Sequence, residues 1–109
     1  MAYDERLAGR VRERIAGHRG VTERVEVTGL AFYHDGNLAV SVLADALVVR
    51  VGPTEADAAL ARPGAAPFVD EGHTMRGWIM VDVDALVDDV VLYDWVDEAH
   101  AYAASLPEG

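Results

Sequence analysis

The sequence predicts an α+β domain in which helices at both ends pack on an antiparallel sheet. Apolar residues recur every three or four positions in residues 4–17 and again in residues 84–105, as in amphipathic helices. Between residues 21 and 51 the pattern changes to short β-type segments with an alternating period. The connections between these segments are too short for parallel crossovers, which indicates an antiparallel meander. The predicted order of elements is α-β-β-β-β-α-β-α.

The first helix is predicted over residues 4–17. Leu7, Val11 and Ile15 fall at i, i+4 and i+8 and form one apolar stripe, while the arginines lie mostly off it. Gly17 can end the helix.

Four strands are predicted to follow. In the first, valines alternate with polar residues, so we expect its apolar side to be half-buried. Asp35 and Gly36 form a strong hairpin signal between the second and third strands. The fourth strand is almost wholly apolar, so we expect it to be central in the sheet. The predicted strands are residues 21–28, 30–34, 38–43 and 46–51.

The second half of the chain predicts two more helices and one strand. Thr54 is placed to cap a short helix that runs to about residue 61. Residues 62–76, which contain two prolines and two glycines, are interpreted as irregular, and residues 77–81 as the last strand. The closing helix covers residues 84–105. Asp84 is its expected N-cap, and the pair Asp88-Asp89 is where it could break.

The formal net charge of −10 is unevenly distributed. Residues 1–24 hold six arginines and four acids, whereas residues 82–109 hold eight acids and no base. Because the terminal helices differ in charge, we expect them to lie near one another. The expected pairs join Arg10 or Arg14 to Asp94, Asp97 or Glu98. The overall negative charge disfavours nucleic acid as a partner, because a net anion is repelled by the phosphate backbone.

Length and composition predict one cytoplasmic domain over residues 1–109. The chain of 109 residues has no cysteine, which excludes disulfides, thiolate metal sites and cysteine nucleophiles. No apolar run approaches the ~20 residues that a membrane span needs. The N-terminal residues MAYDER carry acids early and no apolar segment, so no signal peptide is expected.

The sequence contains no catalytic or metal-binding motif that we recognise. Ser41 and Ser105 lie outside any nucleophile elbow, and the glycines form no phosphate-binding loop. The four histidines have no metal-ligand spacing. Asp97 and His100 are interpreted as a solvated helix pair. We therefore predict no catalytic residues, no metal and no cofactor.

Three segments together resemble the N-terminal domain of TfoX-type competence regulators, the TfoX/Sxy family. They are residues 29–40 (GLAFYHDGNLAV), residues 47–53 (LVVRVGP) and residues 75–81 (MRGWIMV). The likeness covers about residues 3–106. The sequence departs from the family where EVTG stands in place of Met-Phe-Gly-Gly before the hairpin, and where His73-Thr74 stands in place of Arg-Pro.

The resemblance implies helices packed on an antiparallel sheet, and a small, bacterial, regulatory domain that has no enzymatic reaction and contacts a protein partner. The full regulators carry a second helical domain, which we expect this chain to lack because 109 residues accommodate one domain. We expect the contact surface to gather Arg50, Met75, Arg76 and Trp78. Arginine and tryptophan are favoured binding anchors, and methionine adapts to varied partners.

Two alternatives to this function remain open, together with one expectation about assembly. A small-ligand or enzymatic site could lie in a pocket beside residues 62–76, with Asp70, Glu71, His73 and Arg76 as its polar groups. Alternatively, the arginines of the first helix could bind nucleic acid. Exposed edges of a small antiparallel sheet can pair, so a homodimer is also a prediction.

Overall fold

The computed structural model describes residues 3–109 and contains three helices, one short 3₁₀ turn and six strands. The helices are α1 (Glu5–Ile15), α2 (Ala56–Leu60) and α3 (Asp89–Ser105), and the 3₁₀ turn is Val83–Leu86. The strands are β1 (Val21–Val25), β2 (Leu30–His34), β3 (Asn37–Val42), β4 (Ala46–Arg50), β5 (Ala65–Asp70) and β6 (His73–Asp82). No signal peptide was expected in the N-terminal residues MAYDER. The first two of these residues, Met1 and Ala2, lie outside the described residues.

The strands form one antiparallel sheet in the order β1-β2-β3-β4-β6-β5. The predicted α+β fold is therefore confirmed, and β4 is central, as its apolar sequence predicts. Asp35 and Gly36 make the two-residue turn between β2 and β3. Their φ angles of 47° and 86° are those that a tight hairpin turn requires.

Residues 62–76 are not irregular, and this prediction was wrong. They contain β5 and the start of β6, joined by a tight turn at Glu71 and Gly72 with φ angles of 49° and 82°. Pro67 argues against a strand in the sequence because it cannot donate a hydrogen bond to a ladder. The structure accommodates Pro67 because β5 is the edge strand and pairs only with β6.

The core lies on one face of the sheet. Alternate residues of the inner strands, such as Phe32, Val49 and Ile79, pack with Val11 of α1 and Trp95 of α3 in one buried cluster. All three helices and the 3₁₀ turn contribute to this cluster. The opposite face of the sheet, called here the uncovered face, therefore has no helix over it among residues 3–109.

The terminal helices lie next to each other, and the predicted charge pairing between them is confirmed. Arg14 binds Asp97 with two hydrogen bonds, of 2.9 Å from Nε and 2.6 Å from Nη2. These hydrogen bonds lower the pKa of Asp97 below its usual value. Arg10 pairs with Asp89 at 2.8 Å and also donates to the carbonyl oxygen of Leu86 at 2.6 Å.

The predicted helix over residues 84–105 is divided, and two of the predicted caps were wrong. Asp82 accepts a hydrogen bond from the backbone N–H of Asp84 and so begins the 3₁₀ turn, and Asp88 accepts one from Val90 and begins α3. Asp84 therefore lies inside the 3₁₀ turn. Thr54 does not cap α2, whose first flanking residue is Glu55 and which has no side-chain cap.

Strand β1 is exposed along most of its length, in contrast to the half-buried strand that its alternation predicts. The side chain of Val25 is 70% exposed because β1 is the outermost strand of the sheet. The side of β1 that faces α1 is occupied by an ion pair between Arg12 and Glu23, with 2.7 Å between Nε and Oε2. The alternating pattern thus predicted the strand correctly, but the burial that it predicted was wrong.

Candidate functional site

Two of the segments that carry the family resemblance lie side by side in the sheet. Arg50 at the end of β4 is the register partner of Trp78 in β6. Just beyond this pair, the N–H groups of Val51 and Gly52 both donate to the carbonyl oxygen of Gly77, at 2.8 and 3.1 Å. The two motifs are therefore parts of one local structure.

Gly52 and Gly77 are required by this structure for two reasons. Both have a φ of 88°, which residues with a side chain rarely adopt. A Cβ atom on Gly77 would lie 2.7 Å from the carbonyl carbon of Gly52, and one on Gly52 would overlap the ring of Tyr102 in α3. The glycines allow β4, β6 and α3 to approach closely, and they bring Tyr102 near the pair of Arg50 and Trp78.

Arg50 is half-buried and stacks on aromatic rings. Its guanidinium carbon lies 5.1 Å from the ring centroid of Trp78 and 5.5 Å from that of Tyr102. None of the ion pairs within residues 3–109 includes it. A guanidinium that stacks on aromatic faces has hydrogen-bond donors that stay available to other molecules.

Met75 and Arg76 precede Trp78 in β6. They line a shallow depression of about 250 Å³ together with Trp78 and with Leu60 of α2. Arg76 is exposed and approaches Asp57 of α2 at 3.4 Å. Of the four residues predicted to form a binding surface, Arg50 and Trp78 are in contact, and Met75 and Arg76 join them through Trp78. We call these four residues the Trp78 surface.

Trp78 also borders a larger cavity of about 440 Å³ on the uncovered face. This cavity is lined by residues from β2 to β6, among them Tyr33, Ser41, Val48 and Phe68. The ring centroids of Phe68 and Trp78 are 6.4 Å apart. A pocket beside residues 62–76 was predicted, and Phe68, Val69 and Asp70 of that segment line this cavity. The contribution of the other strands was not predicted, because only the sheet register brings them together.

The four polar groups predicted to line a pocket beside residues 62–76 do not come together, although two cavities border this segment. Asp70, Glu71, His73 and Arg76 are all exposed, and only Asp70 lines the cavity on the uncovered face. The polar groups are separated because this segment is a hairpin, with Glu71 in the turn and His73 at the start of the return strand. They do not converge on one point, which a ligand or catalytic site would need.

Three histidines that are far apart in the sequence meet beside α3. Nδ1 of His34 and Nε2 of His100 are 3.1 Å apart, within hydrogen-bond distance. The ring of His18 stacks on that of His100 with 3.8 Å between centroids. We call these three residues the histidine cluster. No spacing in the sequence predicts this cluster, because each histidine belongs to a different part of the fold.

The surroundings of His100 in the histidine cluster favour its neutral form. His100 is buried, and burial lowers its pKa, as do the neighbouring His18 and His34, while Asp97 acts in the opposite direction. Within residues 3–109, no group of three or more histidine or carboxylate side chains is arranged to hold a metal ion. The cluster therefore contributes a hydrogen bond between β2 and α3, and ring stacking between α3 and the connection that follows α1. The interpretation of Asp97 and His100 as a solvated pair was wrong for His100.

Comparison with known proteins is consistent with this architecture. The family model described as the TfoX N-terminal domain matches residues 13–103, which is most of the chain. No curated protein and no solved structure matches the sequence. Among residues 3–109, no helix combines the length and the apolar character that crossing a bilayer requires.

Proposed function

We propose, from the premise that this chain belongs to the TfoX N-terminal domain family, that it is a non-enzymatic domain that regulates another protein by direct contact. The observation that carries the proposal is the Trp78 surface. A half-buried tryptophan, a stacked arginine, a methionine and a second arginine adjoin one another beside a sheet face that no helix covers. Tryptophan and arginine are the residues that most often dominate the binding energy of protein interfaces.

The charge of the domain supports a protein partner over a nucleic acid. The chain carries 19 acids and nine arginines. Three of the six arginines in residues 1–24 are engaged by carboxylates: Arg10 by Asp89, Arg12 by Glu23 and Arg14 by Asp97. These pairs reduce the positive charge that α1 could offer to phosphates. We expect no salt-dependent shift of DNA or RNA in a gel at low ionic strength.

The test compares the double variant Arg50→Ala/Arg76→Ala with Arg19→Ala as bait in affinity purification with quantitative mass spectrometry. Arg19 is exposed and is not one of the residues of the Trp78 surface, so Arg19→Ala is a control for the loss of a surface arginine. We expect the double variant to lose a partner by about tenfold or more, as for interface anchors, and Arg19→Ala to retain it. Circular dichroism must show that all three proteins are folded.

The regulatory role is tested with the recovered partner. Adding the purified domain should change the activity or assembly of that partner, and the double variant should not. Equal recovery of all partners by the folded wild-type, double-variant and Arg19→Ala proteins would exclude the Trp78 surface as the contact site. Static light scattering of the same samples tests the predicted homodimer.

A further inference from the structure

We propose that the cavity on the uncovered face binds a small organic cation with an apolar body, such as an arylalkylammonium ion. This inference goes beyond the protein-contact role, because it assigns a ligand to the cavity itself. It rests on three features of the lining, which are its size, its aromatic rings and the sign of its charges.

The cavity has the size and construction of a small-molecule site. Its volume of about 440 Å³ falls within the range of about 300–1,000 Å³ that is typical of ligand pockets. Tyr33, Ser41, Val48 and Trp78 come from β2, β3, β4 and β6, which are consecutive in the sheet. Phe68 is added by the edge strand β5. The pairing of these strands brings the lining residues together, with register shifts between Phe32 and Tyr33 and between Pro67 and Val69.

All charged groups that line the cavity are acidic. Glu26, in the connection between β1 and β2, and Asp70, at the end of β5, are the only charged residues in the lining, which contains no arginine or histidine. The hydroxyl of Tyr33 donates to Oε1 of Glu26 at 2.6 Å and so holds this carboxylate in place. This hydrogen bond raises the pKa of Tyr33, so Tyr33 remains a neutral donor at physiological pH.

The carboxylate of Glu26 can accept further hydrogen bonds. A carboxylate offers about four lone-pair sites, and the Tyr33 hydroxyl uses one of them. An ammonium group has only donors and a positive charge, so it is the complement of such a site. A carboxylate or phosphate ligand would instead meet two negative groups, with no cation in the lining to offset them.

Aromatic rings supply the second part of cation recognition. Tyr33, Phe68 and Trp78 line the cavity, and the negative faces of such rings attract cations. Two of these rings already hold a guanidinium from outside the lining. Arg24 lies 4.7 Å from the centroid of Tyr33, and Arg50 lies 5.1 Å from that of Trp78. These two guanidinium groups lie outside the lining, and the carboxylates of Glu26 and Asp70 in the lining equal them in number. The chain as a whole carries a net charge of −10, which attracts cations.

The experiment uses three probes with the same aromatic body and different heads: phenethylammonium, phenethyl alcohol and phenylacetate. Binding is followed by the indole N–H signals in nuclear magnetic resonance spectra of the full chain. Trp78 borders the cavity, whereas Trp95, the other tryptophan, is buried in the core and serves as an internal control. We expect the ammonium to shift the Trp78 signal with an affinity about tenfold higher than that of the alcohol. Phenylacetate should cause no shift.

Charge-neutralising variants then test the role of the carboxylates. Glu26→Gln and Asp70→Asn should each weaken ammonium binding by about three- to tenfold and leave alcohol binding unchanged. Glu13→Gln makes the same change in net charge on an exposed position of α1, on the far side of the sheet, and should have no effect. Because all three substitutions are nearly isosteric, folding should be preserved.

Three results would overturn the proposal. The first is equal affinity for the three probes. The second is an equal loss of ammonium binding in Glu26→Gln and Glu13→Gln. The third is tighter binding of the peptide acetyl-Ala-Lys-Ala-amide than of phenethylammonium. The last result would mean that the cavity holds a lysine of a protein partner. Trp78 belongs to both sites, but the two tests can fail separately, because Glu26 and Asp70 are not part of the Trp78 surface and Arg50 and Arg76 do not line the cavity.

Discussion

Nδ1 of His34 at the end of β2 and Nε2 of His100 in α3 are 3.1 Å apart, so a hydrogen bond joins two histidines that are 66 positions apart in the sequence. This hydrogen bond requires one ring to donate and the other to accept, which is possible only while at least one of them is neutral. The link between the sheet and the C-terminal helix therefore depends on protonation.

We expect the stability of the domain to fall as the pH is lowered from about 7.5 to about 5.5, the range in which histidine titrates. Burial and the two neighbouring histidines lower the pKa of His100 in the folded state. The unfolded chain therefore binds the proton more readily. The stabilisation is fully present above the pKa of the unfolded state and is lost as the pH falls through the folded pKa.

Urea unfolding at several pH values measures this effect. His100→Gln should reduce the pH dependence over this range, whereas His73→Gln, which changes an exposed histidine of β6, should leave it unchanged. Equal pH dependence in all three proteins would show that His100 does not carry it.

The ion pair between α1 and α3 predicts a second, more acidic transition. Hydrogen bonds from Arg14 lower the pKa of Asp97, so this pair stabilises the fold at pH values above about 4 and loses its effect as the pH falls through the folded pKa. In Arg14→Gln, the pKa of Asp97 measured by nuclear magnetic resonance should rise. Arg12→Gln removes a different ion pair and should not change it. A rise of the same size in both variants would contradict this pairing.

Two glycine substitutions should have opposite effects on stability. Gly77→Ala introduces a side chain at a φ of 88°, only 2.7 Å from the backbone of Gly52, and should destabilise the fold by about 1–3 kcal/mol. Gly9→Ala lies in α1, where an added Cβ atom meets nothing within 4 Å, and should stabilise the fold by up to about 1 kcal/mol. Chemical denaturation measures both changes. A neutral Gly77→Ala would mean that β4 and β6 do not approach as closely as described.

The two phenylalanines of the chain test which face of the sheet is the core. Phe32 is fully buried beneath the helices, and Phe32→Ala should cost about 3–5 kcal/mol of unfolding free energy. Phe68 lies on the uncovered face and is only half-buried, so Phe68→Ala should cost about 1 kcal/mol. If Phe68→Ala were as destabilising as Phe32→Ala, a second core would have to exist on that face.

Much of the fold follows from local patterns in the sequence. The apolar stripe of α1, the hairpin at Asp35 and Gly36, and the central position of β4 were all predicted and are confirmed. Each depends on residues close together in the chain. The pairing of Arg14 with Asp97 could also be anticipated, because the opposite charges of the two terminal helices are visible in the composition.

The errors arise where a residue's role depends on its place in the sheet. In the sequence, Pro67 indicates that a strand is interrupted. An edge strand tolerates Pro67, because one side of such a strand makes no ladder hydrogen bonds and needs no N–H group there. The alternating pattern of β1 predicts that Val25 is buried. Val25 is exposed because β1 is the edge strand at the opposite edge of the sheet from β5. Neither edge can be identified until the order of the strands is known.

By itself, the sequence determined the fold class and the family resemblance, because period, turn chemistry and motif are local properties. The binding role of the four residues of the Trp78 surface stays a prediction. Only the tertiary structure decided that Arg50 stacks on Trp78, that three histidines meet, and that five strands enclose a cavity whose charged groups are both acidic. The physical reason is the sheet ladder. Its register joins residues from distant parts of the chain at fixed distances, and no short stretch of sequence contains that information.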